Sequence, residues 1–221
     1  MPKVTEEYIQ NKKQKIIDSA YGLCLQKTLS TVTMQDIIDA TGFSQGGIYR
    51  FYKDIDEIFQ DMLKDNRRKV NITAQVDAIF ENTTDKPIKT VLHQVFELLG
   101  DFMTQELMGI VKINFEISVL AMNAPLRAEK ILKDIEGTGN FEYLLQHTTN
   151  YLRQHIAGGS ICPKVSFEEL LTHLISSYNG IEMSCIINHC YNKLPLTEWY
   201  TPKQQLQTLE TTLYYLLGLE D

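Results

Sequence analysis

Residues 33–57 read TMQDIIDATGFSQGGIYRFYKDIDE, and the rest of the chain is arranged around them. Thr33 stands where it can cap a short helix, with Asp36 three residues on completing a capping-box pair. Ile37, Ile38 and Thr41 give that helix a buried side, and Gly42 supplies the positive φ that ends it. Phe43 fills the corner, Ser44 caps a second helix over SQGGIYRFY, and Asp54 with Glu57 caps a third. Two helices of roughly two turns, joined through a glycine-containing turn, make a helix-turn-helix pattern. Helices this short do not persist alone, so a scaffold must hold the second one outward. Presentation to a DNA major groove is the expected purpose.

The chain has 221 residues, 43% hydrophobic and 22% charged, as in an ordinary globular protein. No apolar run reaches the roughly 18 residues of a membrane span. The stretch MPKVTEEYIQNKKQK lacks an apolar region after its charges, so a cytoplasmic protein with no membrane partner is expected. The net charge of −7 is unevenly spread. Through Lys53, seven Lys/Arg face five Asp/Glu, a surplus of +2 that leaves −9 on the remainder. A basic head on an acidic body suits specific DNA binding with repulsion of stray polyanions. Cys24, Cys162, Cys185 and Cys190 are scattered among apolar residues and read as small buried hydrophobes. Cys185 and Cys190, with His189 between them, stand at i and i+5 on poorly matched helix faces with no fourth ligand evident nearby, so no metal is expected.

Upstream of the motif a helix is predicted over 8–27, with Ile16 or Ile17, Ala20, Leu23 and Cys24 inward and Lys12, Lys13 and Lys15 at its exposed start. Downstream a connecting helix is predicted over 54–80, its residues Ile55, Ile58, Phe59, Met62 and Leu63 held to the head and Arg67, Arg68 and Lys69 a solvated patch. Pro87 opens a helix that is apolar over much of its circumference, a further helix spans 106–121, and another runs from 125 to 156. Gly137-Thr138-Gly139 kinks or breaks that last one. Ser166 and Glu169 cap a helix reaching Tyr191, and Thr201-Pro202 opens a final one with Leu206, Leu209, Leu213, Leu216 and Leu217 on one side and Gly218 at its end. The expected fold is all-α: a three-helix head over 1–53 and a larger helical body over 54–221.

Over Lys12 to Phe59 the sequence resembles the TetR family of bacterial transcriptional regulators; beyond that the likeness is one of helix number and order. Thr33, Ile37, Thr41, Gly42, Phe43, Ser44, Gly46, Tyr49, Lys53, Glu57 and Ile58 stand in the family's order and spacing. Two positions depart from it. Phe51-Tyr52 replaces a Tyr or His followed by Phe, and Ile55 replaces a Lys that reaches a phosphate, so two backbone contacts are missing and salt dependence should fall slightly. The DNA-binding candidates are Thr33, Ser44, Gln45, Gly46, Gly47, Tyr49, Arg50 and Lys53. Gln45 can pair with adenine and Arg50 with guanine; Tyr49, Thr33 and Lys53 suit phosphates, joined by Lys12 or Lys13.

The resemblance further implies a homodimer through about 166–192 and 202–218 on a near-palindromic double-stranded operator, and a small-molecule inducer bound among the middle helices. Lining candidates are His93, Phe96, Met103, Phe115, Met122, Phe141, His147, Tyr151 and Tyr178, a mixture that suits a medium-sized, largely apolar compound. The sequence shows no nucleophile–base set, carboxylate pair, metal box or phosphate loop, so neither catalysis nor a cofactor is expected. The alternative is a helical dimeric adaptor or enzyme carrying a non-binding helix-turn-helix relic.

Overall fold

The computed structural model describes residues 5–81, 83, 85–191 and 201–219, and every α or β element among them is a helix. Helix α1 runs over Glu6–Gln26, begun by Thr5, whose hydroxyl accepts from the Tyr8 N–H. Glu6 and Glu7 lie in its first turn, where carboxylates complement the helix dipole. After a 3-10 turn at Leu29–Thr31 come α2 (Met34–Thr41), α3 (Gln45–Tyr49) and α4 (Ile55–Lys69).

The connecting helix predicted over 54–80 is two helices. Helix α4 stops at Lys69, and α5 occupies Thr73–Phe80. Val70, Ile72 and Thr73 are β-branched, and the Asn71 side chain accepts from the Thr73 N–H at 2.8 Å, offering the backbone an alternative to the helix. The Ile72 N–H donates to the Asn140 side chain instead. Arg67, Arg68 and Lys69, expected as a solvated patch, are engaged. Lys69 lies 2.7 Å from the buried Asp65 and 3.3 Å from Asp18, Arg68 lies 3.3 Å from Asp65, and Arg67 donates to the Gly137 carbonyl.

Helix α6 covers Ile88–Glu106, with Pro87 as its cap rather than its first residue. The helix expected from 106 starts later. Leu107–Val111 is a π-helical turn in which Gly109 leaves helical backbone, and α7 follows at Lys112–Asn123. Helix α8 occupies Pro125–Leu132 and α9 Asn140–Ala157, so the glycine triplet falls in a break. Asp134 and Gly137, at φ 58° and 85°, reverse the backbone there. Helix α10 (Phe167–Tyr191) carries the predicted Ser166–Glu169 box, and α11 (Pro202–Leu217) ends on Gly218 at φ 69°. Residue 192, the expected end of the first dimer segment, lies outside the described residues.

The chain forms two compact units, Met1–Val70 with Lys112–Gly137, and Asn71–Val111 with Thr138–Asp221. The first therefore takes in α4, α7 and α8, which a boundary at 53 assigns to the body. Within it, Ile58, Phe59, Met62 and Leu63 of α4 are buried, and α4 packs on α1. Arg127 of α8 lies 2.9 Å from Asp56 and Lys130 2.6 Å from Asp54, so α8 neutralises the carboxylates that begin α4.

A buried ion pair fixes α7 to the end of α1. The Lys112 ammonium donates to the carbonyl of Cys24 at 2.7 Å and to that of Lys27 at 3.4 Å, and pairs with Glu116 at 2.8 Å. Glu116 in turn accepts from the Leu29 N–H at 2.8 Å. The C-terminal carbonyls of a helix are orphan acceptors at its negative end, so a cation is the natural cap. Burial, with Glu116 nearby, pushes the Cys24 thiol up to about 12.

In the second unit, Leu92, Phe96, Leu99 and Met103 of α6 share a core with Leu206, Leu209, Leu213 and Leu217 of α11. The helices come close at Gly100, where a Cβ would sit 3.2 Å from Lys203. Leu206, Leu209, Leu213 and Leu217, although they lie in the expected dimer segment 202–218, are thus interior to the unit.

Replacing Lys112 with Met should lower folding stability by about 3–5 kcal/mol, because Glu116 and the α1 carbonyls lose their buried cation. Met122→Ser, at an exposed α7 position, should stay within about 0.5 kcal/mol. Urea denaturation of the two variants beside the wild type measures both.

Candidate functional site

The helix-turn-helix is built as its residues dictate. Thr33 accepts from the Asp36 N–H, and Asp36 accepts from the Thr33 N–H at 2.7 Å, closing the reciprocal box. Lys27 lies 2.6 Å from Asp36, and its hydrogen bond together with those from Thr33 holds that carboxyl down at about 2. At the other end Gly42 takes φ 68°, a conformation that strains any L side chain. The buried Thr41 hydroxyl donates to the Ile37 carbonyl at 2.7 Å and accepts from the Phe43 N–H at 3.2 Å, fixing the corner. Phe43 is half-buried rather than a sealed plug; its ring is covered by the Lys12 and Lys15 ammonium groups, 3.8 and 4.9 Å from the centroid.

Helix α3 is held by one buried residue, Ile48, and by Ser44, whose hydroxyl accepts from the Gly47 N–H at 3.2 Å. Its two glycines differ. A Cβ on Gly47 would crowd the Ser44 oxygen at 3.2 Å, so this glycine serves the cap. Open space surrounds a Cβ on Gly46, so nothing inside the chain requires glycine there.

Thr33, Ser44, Gln45, Gly46, Tyr49, Arg50 and Lys53 are exposed together on this head, and Gly47 is half-buried. Among the described residues the side chains of Gln45, Tyr49 and Arg50 have no hydrogen bond or ion pair, which leaves their polar groups available to an outside partner. The two lysines of α1 separate. Lys13 is committed to Asp61 at 3.3 Å, whereas Lys12 rests on Phe43 without an ion pair among the described residues. Tyr52, one position after the phenylalanine that departs from the family pattern, is buried and donates to Asp61 at 3.0 Å. Burial, then Asp61, raises its phenol, so this hydroxyl is an internal strut.

Residues 16–62 match the family model described as bacterial regulatory proteins, tetR family. Over this segment the chain is similar to the TetR family. The uncharacterized HTH-type transcriptional regulator YfiR of Bacillus subtilis is 21% identical over 184 residues, covering 81% of this chain and 82% of YfiR. Among solved structures, Salmonella enterica GusR aligns with a TM-score of 0.58 at 16% identity, over 98% of this chain and 99% of GusR. The FadR of Thermus thermophilus, a TetR-family repressor in complex with lauroyl-CoA, aligns with a TM-score of 0.51 at 16% identity, over 91% and 92%. The fold is therefore shared with these proteins along nearly the whole length of the chain. No helix among the described residues is long and apolar enough to cross a membrane.

The second unit collects some of the expected ligand-lining residues and not others. Tyr143, His147, Tyr151 and His155 recur every four residues along α9; the rings of Tyr143 and His147 touch, as do those of Tyr151 and His155, and Phe80 of α5 lies against His147 and Tyr151, both at 5.7 Å. The buried Tyr151 hydroxyl has no hydrogen-bond partner among the described residues, and burial raises it. Phe141 stacks on Tyr178 of α10 at 3.8 Å. Phe96 and Met103 are core. His93 is largely exposed and is held by Glu210, 2.9 Å away, which also accepts from the Tyr214 hydroxyl. Phe115 and Met122 belong to the first unit; Phe115 is half-buried, and Met122, expected among the lining residues, is 76% exposed because Ile113, Ile117 and Leu120 take the inner face of α7. Of the cysteines expected to be buried, Cys24 and Cys185 are, whereas Cys162 and Cys190 are exposed.

One residue was missed. Glu182 lies on the inner stripe of α10, one turn after Tyr178 and just before Cys185 and Ile186. Desolvation pushes its carboxyl from 4.5 up to about 7. A carboxylate in an otherwise apolar helical stripe was the signal in the sequence.

This shift has a defined sign. The unfolded chain releases the Glu182 proton near 4.5 and the folded chain near 7, so stability falls as pH rises through that window and the full cost is present above it. Glu182→Gln should therefore raise the thermal midpoint at pH 8, by roughly 2–4 °C per kcal/mol of desolvation removed. At pH 5 most of that gain should vanish. Thermal melts monitored by circular dichroism at both values check it.

Proposed function

We propose that this regulator is a cytoplasmic, dimeric repressor that releases a near-palindromic operator when a small, largely apolar ligand binds. The observation that carries the reading is the exposed and unpaired set Gln45, Tyr49 and Arg50 on a helix capped at its start and anchored by Ile48. Gln45 and Arg50 read base edges, adenine and guanine respectively. Thr33, Tyr49 and Lys53 meet phosphates, with Lys12 in place of the contacts that Phe51 and Ile55 do not supply. The open space at Gly46 and the exposed Ser44 cap let the start of α3 approach the DNA backbone closely. This is the work of a regulator rather than an enzyme.

One head reads a few base pairs, so two are needed for a specific site. With the α11 leucines turned inward, the dimer surface is formed by the outer sides of α10 and α11, where Met183 and Tyr215 are exposed. The ligand is held in the second unit by Phe141, His147, Tyr151 and Tyr178, and the unpartnered Tyr151 hydroxyl supports that choice, since a buried donor without an acceptor is costly. Release from DNA requires the ligand to favour one head spacing over the other.

Arg50→Ala should abolish preference for the operator in the chain's own upstream region while leaving weaker, salt-sensitive binding; a titration at fixed salt that shows unchanged operator affinity would refute the assignment. Sedimentation should give twice the chain mass, and a monomer would overturn the dimer.

A further inference from the structure

The ligand site can be given a charge. Helix α10 turns a continuous stripe into its unit: Tyr178, Cys185 and Ile186 are buried, and Glu182 falls between them, half-buried. Its carboxylate has no hydrogen bond or ion pair among the described residues. One turn back lies Tyr178, with Phe141 stacked on it at 3.8 Å. A carboxylate removed from bulk water and left without a partner is expensive, and the described residues of the unit do not supply the compensating cation. Aromatic rings beside such a group add a second preference for positive charge.

We infer that the ligand of this unit is an amphipathic organic cation, its ammonium or comparable group set against Glu182 and the Phe141–Tyr178 pair and its apolar part in the surrounding core. This rests on reading the second unit as the ligand-binding one. An anionic head would meet Glu182 in a poorly screened setting, and a neutral one would leave the carboxylate's burial uncompensated. The group is shielded enough to discriminate and exposed enough to be reached. Burial with no opposing charge accounts for the upward displacement of its carboxyl.

The test uses the full chain and three probes with the same ten-carbon tail: decyltrimethylammonium, decanol and decanoate, each below its aggregation threshold, titrated calorimetrically. The wild type should bind the ammonium at least about tenfold more tightly than the alcohol, and decanoate most weakly. Glu182→Gln, checked for folding by its thermal melt, should erase the preference for the ammonium while still binding decanol. Saturable binding of decanol or decanoate at equal or better affinity than the ammonium in the wild type would overturn the charge assignment and leave the ligand-binding reading of the unit standing. No saturable binding of any of the three would overturn both. The wild-type comparison decides the matter even if the variant does not fold.

Discussion

The ammonium of Lys112 sits where a helix needs one. Three carbonyl and carboxylate oxygens converge on it, two of them the unsatisfied acceptors at the end of α1. Because Glu116 reaches on to the Leu29 N–H, a single pair one helical turn apart pins the segment that leads from α1 into α2. The reading head owes its placement to this, because neither α2, eight residues long, nor α3, five, has enough hydrogen bonds to persist alone. It also explains why Lys112–Gly137 belongs to the same compact unit as the head. A second electrostatic tie, from Arg127 and Lys130 to the carboxylates that open α4, works in the same direction.

Within the head, local chemistry and tertiary packing agree. Each turn of backbone has a side chain that satisfies it: Thr33 and Asp36 at one helix start, Ser44 at the next, Asp54 at the third, and Thr41 across the corner. Such consistency is what allows a short element to hold one conformation. The residues left without internal duties are the polar ones of α3. Tyr52 marks the boundary between the two roles, its hydroxyl turned inward to Asp61 while Tyr49, one turn earlier, faces out.

The second unit is organised differently. Its core is the apolar seam of α6 and α11, and its polar groups are few and costly: Glu210, shared between His93 and Tyr214; the Tyr151 hydroxyl, without a partner; and Glu182. The first of these is satisfied and structural. The other two carry unmet bonding capacity among the described residues of the unit.

The all-α class, the helix-turn-helix with its caps and αL glycine, and the start and end of α11 were legible from residue types alone, because each depends on bonds spanning three or four residues. Thr33 with Asp36, Gly42, Ser44 and Gly218 are of this kind, and so is the exposed set on α3 that forms the candidate DNA interface. Breaks were less legible: Asn71 and Gly109 interrupt runs whose hydrophobic periodicity continues across them. What only the tertiary structure decided is every partnership across distance. Lys112 with Cys24, His93 with Glu210, and Phe141 with Tyr178 are separated by tens of residues or more, and no local spacing encodes them. The same holds for the α11 leucines, since a stripe specifies that a face is buried but not against which helix.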